Sequence, residues 1–588
     1  MSWQAGLTAG VVALALVAMA TERLKPETAL GAALGLLLLA GAVTPTAALA
    51  GLSNPAVATV ALLFVVGAAV RRSGALTTVT AAALGRRALP GFSIARLMLP
   101  VALLSAFLNN TPVVAMLLPE VRAWSRRYGI APSRMLLPLS YAAILGGLCT
   151  IIGTSTNLVV NGLLEQHGLA PIGFFEIGRI GLPLVFAGIA LTALFCRSLL
   201  VDRPDTEAFA DPRDFTTEVV VEAGGAFDGA RLRDVRLGEG GPLVPVEIDR
   251  DGHVLGAPRL DTVLRGGDRL VVAGALATVL AATKTQGLRK ADDSTFDAAS
   301  LGAERRLCEV VVSERCPLVG ARVGDGSFRA AYGAAVLALA RNGERVAPAR
   351  EGGWVLRAGD TLLVEASADF AARHRFHPHF HVVLGTGARA PAPRWQAIVA
   401  LGTLFGMVGL AAMGVLDMLV AAVLAVLALL ASGLVDRAVI REAVDLRVLF
   451  AIAAAFGVGG AIEQSGLAST VASAISQVAT SPWGALVAVY LTTAVLTELM
   501  TNNAAAVLML PIALATATRL EVSPLPFAVV VMVAASASFA TPMGYQTNLM
   551  VYGPGGYRFT DFLRAGVPMS VLVAVITLWL VPLLWPFA

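Results

Sequence analysis

Hydrophobic positions fall into two long blocks of near-continuous runs, separated by a stretch where they alternate with charge. Runs such as Ala5–Thr21, Thr28–Ala50 and Val567–Ala588 carry no charged residue and are about long enough to cross a bilayer. The pattern predicts a first membrane part over residues 1–200. Its spans lie near 5–21, 28–49 and 55–71, followed by a motif segment 97–121, then 135–165 and 176–200. A second part covers 391–588, with spans near 395–414, 416–434 and 447–464, a motif segment 484–518, then 524–552 and 565–586. Residues 201–390 form a soluble insert between them. The first run lacks a basic n-region and a small-residue cleavage site, so it is expected to be a retained span.

Composition agrees. Of 588 residues, 56% are hydrophobic and 14% charged, far from the soluble average. The net charge of +4 divides into −3 over residues 201–390 and +7 over the rest. The basic balance therefore reflects membrane topology, and no nucleic-acid partner is expected. Cys149, Cys196, Cys308 and Cys316 show neither CxxC nor metal-like spacing.

The two membrane parts echo each other. Asn109-Asn110-Thr111, with Pro119 beyond, recurs as Thr501-Asn502-Asn503 with Pro511 beyond; Asn110 and Asn502 are 392 apart. Gly74 and Gly466 are also 392 apart, and Asn157 and Asn548 are 391 apart. A second polar break follows each motif, at Gly153-Thr154-Ser155-Thr156-Asn157 and at Thr541-Pro542 through Asn548. Polar breaks at matching places in duplicated membrane units point to a transporter's binding site.

Basic residues set the topology. Arg71, Arg72, Arg86, Arg87 and Arg96 precede the motif segment 97–121, and Arg122, Arg126, Arg127 and Arg134 follow it. A straight span would place the two clusters on opposite sides. A re-entrant hairpin bent at Asn109-Asn110 places both in the cytoplasm, as the positive-inside rule prefers, and its tip is tolerated where it lines a cavity. With a hairpin in each half, five segments cross per repeat, and the second repeat is inverted. The expected fold is thus a polytopic α-helical membrane protein of two inverted five-span repeats, each with a re-entrant hairpin. The insert is cytoplasmic, and the protein sits in the cell (inner) membrane. On this drawing 18 of the 20 bases of the membrane parts are cytoplasmic, all but Arg179 and Arg519.

The insert repeats too. Val263–Val272 resembles Val355–Val364, and Glu218–Val221 resembles Glu309–Val312. β-Branched runs separated by Gly/Asp turns predict two similar small α+β modules, about 215–285 and 305–372, each with one short helix. Asp202–Asp214 and Lys290–Ala303 are polar and predicted as linkers.

The breaks carry the chemistry. A helix that ends at a hairpin tip leaves carbonyls without partners, and the helix that starts there leaves N–H groups. Carbonyl ends suit a small cation and N–H ends an anion. Thr111 is expected as N-cap before Pro112, and Asn503 as cap before Ala504. No Lys, Arg or His falls within the four breaks. An anion there would be countered by helix ends, hydroxyls, amides and co-bound cations, which couples the two ions. Membrane Asn, Ser and Thr also serve as interhelical glue, but four breaks in matched register exceed what glue requires.

At these residues the chain resembles the divalent anion/sodium symporter family, sodium-coupled carriers of sulfate and dicarboxylates, over both membrane parts. The family's paired Ser-Asn-Thr tips correspond to Asn109-Asn110-Thr111 and Thr501-Asn502-Asn503, neither of which is a strict match. The resemblance implies one sodium site at Ser105, Asn109, Asn110 and Gly153, and another at Thr497, Thr501, Asn502 and Ala540. It implies an anion site at Asn110, Thr111, Thr154, Asn502, Asn503 and Thr541. It further implies an elevator-type homodimer. The Thr541–Tyr557 stretch resembles the branch with a cytoplasmic insert similar to the C-terminal module of potassium-uptake regulators. Such an insert would take a small-molecule ligand; no GxGxxG follows a strand, so no organic cofactor is expected.

The reading is sodium-driven import of a small divalent anion, sulfate first. The alternatives are a dicarboxylate or proton-coupled carrier and, from another class, a membrane-bound ligand sensor. No acid/base pair or nucleophile–His arrangement suggests an enzyme. His374, His377, His379 and His381 form a polar cluster read as a return linker. Glu498 is read as a local hydrogen-bond partner of the second hairpin, with proton coupling as its sharper alternative.

Overall fold

A computed structural model of the chain describes residues 2–587, apart from 22, 75–89, 204–215, 232–243, 251–252, 257–261, 274–286, 291–304, 324–326, 342–343, 347–353, 368, 375–376, 386–393 and 480. Arg86, Arg87, most of the two polar linkers and the short helix expected in the first module lie outside the described residues. The chain divides into two compact units. Met1–Asp202, Pro391–Val551 and Phe559–Ala588 form one; Arg203–Ala390 and Tyr552–Arg558 form the other.

Helix bounds in the first unit repeat down the chain. Pro26–Leu39 returns as Met418–Ala431, Pro90–Ser105 as Pro482–Leu499, and Asn110–Arg127 as Asn502–Arg519. The local causes repeat as well. Asn54 caps Pro55–Arg72 by accepting from the Ala56 N–H (2.8 Å), and Asp445 caps Leu446–Gln464 by accepting from the Arg447 N–H (3.1 Å). Gly74 and Gly466 follow those two helices at φ +69° and +78°, a left-handed conformation that glycine enters without a Cβ clash. The duplication is therefore written in caps and stops as well as in hydropathy.

Five helices among the described residues are long and apolar enough to cross a membrane: Pro45–Arg72, Trp395–Ala412, Leu446–Gln464, Pro482–Leu499 and Phe559–Leu584. On the last, Leu563, Val567, Val571, Val575, Trp579 and Leu583 recur every four residues and are all exposed. Such a stripe suits lipid. Leu525–Ser536, by contrast, is buried from Pro526 onward. Two features depart from the hydropathy reading. The run 28–49 is split, because the chain turns through Gly41 (φ +69°) and restarts at Pro45. A helix at Leu467–Val478 was not anticipated, since its Ser and Thr residues dilute the apolar signal.

The second unit contains two five-stranded antiparallel sheets. The first is built from β1 (Thr216–Val221), β2 (Val244–Arg250), β3 (His253–Gly256), β4 (Arg269–Ala273) and β5 (Leu288–Lys290), in the order β3-β2-β4-β1-β5. The second uses β6 (Arg305–Val312), β8 (Ala335–Arg341), β9 (Glu344–Val346), β11 (Thr361–Ser367) and β12 (Phe380–Gly385). β7 (Arg322–Val323) and β10 (Trp354–Val355) pair separately. The second order, β12-β6-β11-β8-β9, is the first read backwards with each strand replaced by its repeat. A buried ion pair marks the equivalence. Arg250 donates twice to Asp268 (2.7 Å each) and once to the Val263 carbonyl (2.9 Å). Arg341 does the same to Asp360 (2.7 Å each) and to the Val355 carbonyl (2.8 Å). The last strand of each sheet lies beyond the span set by the sequence repeat. β12 also follows directly on His377 and His379, which pack with Tyr332; its hydroxyl is 2.8 Å from His379 Nδ1.

Candidate functional site

Pro90–Ser105 stops, four residues follow without helix, and Asn110–Arg127 begins. In the second copy Pro482–Leu499 stops and Asn502–Arg519 begins, with Thr501 in the cap position. Both helices thus start earlier than expected, and Thr111 and Asn503 sit inside the first turn instead of capping it. The reason is that Asn110 and Asn502 are anchored from the preceding arm, which brings the chain into helix at those residues.

The anchors are repeat mates. Asn110 is fully buried, with its amide nitrogen toward Ser105 Oγ (2.5 Å) and the carbonyls of Ala143 (2.9 Å) and Gly153 (3.3 Å). Its amide oxygen then accepts from the Tyr545 hydroxyl (2.5 Å). In the second copy Thr497 Oγ1 lies 3.0 Å from Asn502 Oδ1 and 2.5 Å from the Ala535 carbonyl.

The helix breaks reproduce one knot. Thr150 donates to the Ala106 carbonyl, and the Gly153 N–H donates to Thr150 Oγ1 (3.2 Å). The Asn157 amide donates to the carbonyls of Thr150 (3.0 Å) and Gly147 (3.4 Å). Correspondingly, the Gly544 N–H donates to Thr541 Oγ1 (3.0 Å), and the Asn548 amide donates to the carbonyls of Thr541 and Ser538 (3.1 Å each). These bonds pair Thr150 with Thr541 and Gly153 with Gly544, whereas the family pattern set Gly153 beside Ala540 and Thr154 beside Thr541. Both glycines are required by close approach. A Cβ on Gly153 would meet the Gly147 carbonyl at 2.6 Å, and one on Gly544 would meet Ser538 Oγ at 2.1 Å.

Each tip is then tied to the other copy's break. Thr111 donates to Gln546 Oε1 (3.1 Å). Asn503 Oδ1 accepts from Ser155 Oγ (3.2 Å) and Thr156 Oγ1 (3.0 Å). Thr111 and Asn503 are mates, as are Ser155 and Gln546, so the two clasps mirror each other. Ser140 adds a further link, with Oγ 2.8 Å from Thr547 Oγ1 and 2.7 Å from Asn548 Oδ1.

The structure therefore brings Ser105, Asn110, Gly153 and Thr154 together around Asn110 and Tyr545, and Thr497 onto Asn502; Thr111 bonds the other copy's Gln546, and Thr541 bonds Glu498, Gly544 and Asn548. Asn503 bonds Ser155 and Thr156 of the first copy. Asn109 lies to one side, on an apolar crevice with Phe64, Phe107, Ile152, Leu158 and Leu404. Thr501 is exposed. The Ala540 N–H donates to Glu498 Oε1 (3.1 Å), and Glu498 Oε2 accepts from Thr541 Oγ1 (2.7 Å). Glu498 thus bonds not the hairpin itself, as expected, but its own repeat's break 42 and 43 residues away. Sequence reasoning missed Thr150, Ser155, Thr156, Tyr545 and Gln546 as site residues. The spacing that pairs Asn157 with Asn548 gives their repeat mates, Thr150 with Thr541, Thr154 with Tyr545, Ser155 with Gln546 and Thr156 with Thr547, though not their contacts.

In chemical terms, each cluster gathers hydroxyl, amide and carbonyl oxygens at a helix break, a donor set suited to a hard monovalent cation. The helices at Asn110, Ser155 and Asn502 begin beside the clusters with N–H groups that favour negative charge.

A scan against family models matches residues 14–532 to the CitMHS citrate transporter family. Among similar proteins, "Putative sulfur deprivation response regulator" of Chlamydomonas reinhardtii is 37% identical, covering 94% of this chain and 97% of its own length. An uncharacterized transporter of Synechocystis sp. is 33% identical over 99% and 97%. Sodium/sulfate cotransporter 2 of C. reinhardtii is 28% identical over 98% and 89%.

Proposed function

We propose how this chain, which belongs to the citrate transporter family and with it to the divalent anion/sodium symporters, uses its duplicated site. It is a multi-pass membrane transporter and not an enzyme; its relatives support anion transport with sodium as the co-transported ion. The proposal is import of a small divalent anion, sulfate, seated between the two hairpin tips with a sodium ion in each cluster. The cation sites draw on Ser105, Asn110 and Gly153 in one copy and Thr497, Asn502 and Ala540 in the other, with Asn109 and Thr501 at the cap positions. The anion meets Thr111, Thr154, Asn503 and Thr541, with Asn110 and Asn502 behind them.

One observation carries this reading: the same hydrogen-bonded knot occurs twice, and each tip is clasped to the other copy's break. Glue between helices does not need both knots and crossed clasps. Sodium bound to neutral oxygens supplies the positive charge that the site's own side chains lack, so anion binding follows cation binding. Inverted repeats, an elevator motion of a homodimer and a cytoplasmic location of the two modules complete the proposal. The modules regulate transport in response to a small-molecule ligand.

Reconstituted vesicles with labelled sulfate test it. Uptake should follow an inward sodium gradient and stop when choline replaces sodium. A second reading, proton coupling, draws on Glu498, the carboxylate at the second tip. Uptake driven by a pH gradient in choline would favour it over sodium.

A further inference from the structure

The two copies differ most where they come closest. Thr154 and Tyr545 are mates: each follows the knot glycine and precedes the first residue of a short helix. In the first copy the position holds a small hydroxyl. In the second it holds a phenol that reaches back across to the first copy. The Tyr545 hydroxyl lies 2.5 Å from the Asn110 amide and 3.5 Å from Thr154 Oγ1, with the Asn502 side chain near enough to act on it. One side chain thus joins the first tip to its own mate, beside the second tip. It does so while only 8% exposed.

Asn110 explains why a donor is needed there. Its two amide hydrogens are taken up among the Ala143 carbonyl, the Gly153 carbonyl and Ser105 Oγ. What it turns toward the centre is its carbonyl oxygen, an acceptor, which alone would repel an anion. The Tyr545 hydroxyl covers that oxygen. A phenol has a single hydrogen, and rotation about its C–O bond can carry that hydrogen from Asn110 Oδ1 to an anion oxygen. A cation arriving on Asn110 Oδ1 favours the rotation, because it replaces the hydrogen there.

We infer that Tyr545 is the specificity-determining residue of the site: its hydroxyl is the donor that a compact tetrahedral oxyanion meets, and its ring takes the room that an extended dicarboxylate would need. The inference rests on the proposed anion site between the tips and deepens it. It assigns the class of substrate to one side chain and ties the donor to the first cation site.

The test uses the full-length protein in vesicles, with labelled sulfate and succinate as probes. Tyr545→Phe keeps the ring and removes the donor. It should raise the sulfate KM about ten-fold or more with kcat little changed, as expected for a lost hydrogen bond to a charged group. Tyr545→Thr makes the second copy like the first and should admit succinate, which the wild type should reject. Sodium alone should raise the thermal stability of both variants and of the wild type alike, a sign of folded protein and intact cation sites. A Phe variant with wild-type sulfate KM, or a folded Thr variant that still rejects succinate, overturns the inference alone. A wild type that takes up no sulfate under a sodium gradient overturns the reading of the site beneath it, and the oxyanion assignment with it.

Discussion

In the first copy of the helix–tip–helix and break unit, Thr150 donates to the main-chain carbonyl of Ala106. In the second, Thr541 finds the carboxylate of Glu498 at 2.7 Å, with the carbonyl of the same residue at 3.5 Å. Around these residues the two copies agree: Ser105 and Thr497 hold the tip asparagines, and Asn157 and Asn548 close the knots. They part at Ala106 against Glu498, Thr111 against Asn503, and Thr154 against Tyr545. The shared residues bond mainly to backbone and fix geometry. Of the differing ones, Thr111, Asn503 and Tyr545 reach the other copy, whereas Glu498 bonds within its own repeat. The insert offers the opposite case, since its two modules keep the same Arg–Asp pair, bond for bond. Duplication is retained where it holds structure and broken mainly where the copies meet.

The shared residues should be the most sensitive. Asn110→Ala or Asn502→Ala removes an amide that several buried groups depend on, and should lower uptake about 100-fold or more. Sodium-driven uptake by each purified variant, normalised to folded protein, checks this. Near-normal uptake in either would show that the two knots are not equivalent.

The insert's pair comes next. Asp268 and Asp360 are each 1% exposed. Asp268→Asn or Asp360→Asn leaves a half-buried guanidinium without its counter-charge and should cost about 3 kcal/mol in that module. Hydrogen exchange in the intact protein would read it as faster exchange in β1 and β4, or in β6 and β11. The two losses should be alike. In the native state the Arg250 guanidinium and backbone N–H bonding hold the Asp268 carboxyl below its usual value, against the opposing effect of burial. That share of stability is therefore present at neutral pH and is lost as pH falls through the lowered value.

Glu498→Gln keeps the size and removes the charge. Two bonds to a carboxylate become bonds to a neutral amide, and uptake should fall about ten-fold. Ala106→Glu, the converse change, should not create a gain. If Glu498→Gln instead abolishes a pH dependence and leaves sodium dependence intact, the asymmetry serves protons.

The clasps should matter least. Thr111→Val and Ser155→Ala each remove a neutral, partly exposed hydrogen bond, and each should change the sulfate KM by only about two- to ten-fold. Because the clasps mirror each other, the two effects should match.

Much of this plan was legible in the chain. Uncharged runs marked out apolar helices, five of them among the described residues long enough to cross a membrane, and the 392-residue spacing located both helix breaks at Asn110 and Asn502. Asn157 and Asn548 located the second breaks. The insert's Gly-Asp turns revealed two modules, though their last strands are short or lack the turn signal that marks the others. What the sequence hid was contact across copies. Nothing local says that Tyr545 reaches Asn110, or that Gln546 reaches Thr111, because a side chain's length shows no direction. The helices begin at Asn110 and Asn502, two residues before the starts that the capping pattern predicts. There a Ser or Thr five residues upstream, which no capping rule considers, holds the asparagine.

Sodium-dependent sulfate uptake by vesicles holding wild type, Asn110→Ala and Asn502→Ala, measured side by side, tests the central claim that two equivalent knots form one site. Saturable uptake by the wild type should vanish in choline, with both variants reduced to a comparable, near-background level. Full uptake without sodium, or one variant unimpaired while the other is dead, would contradict it.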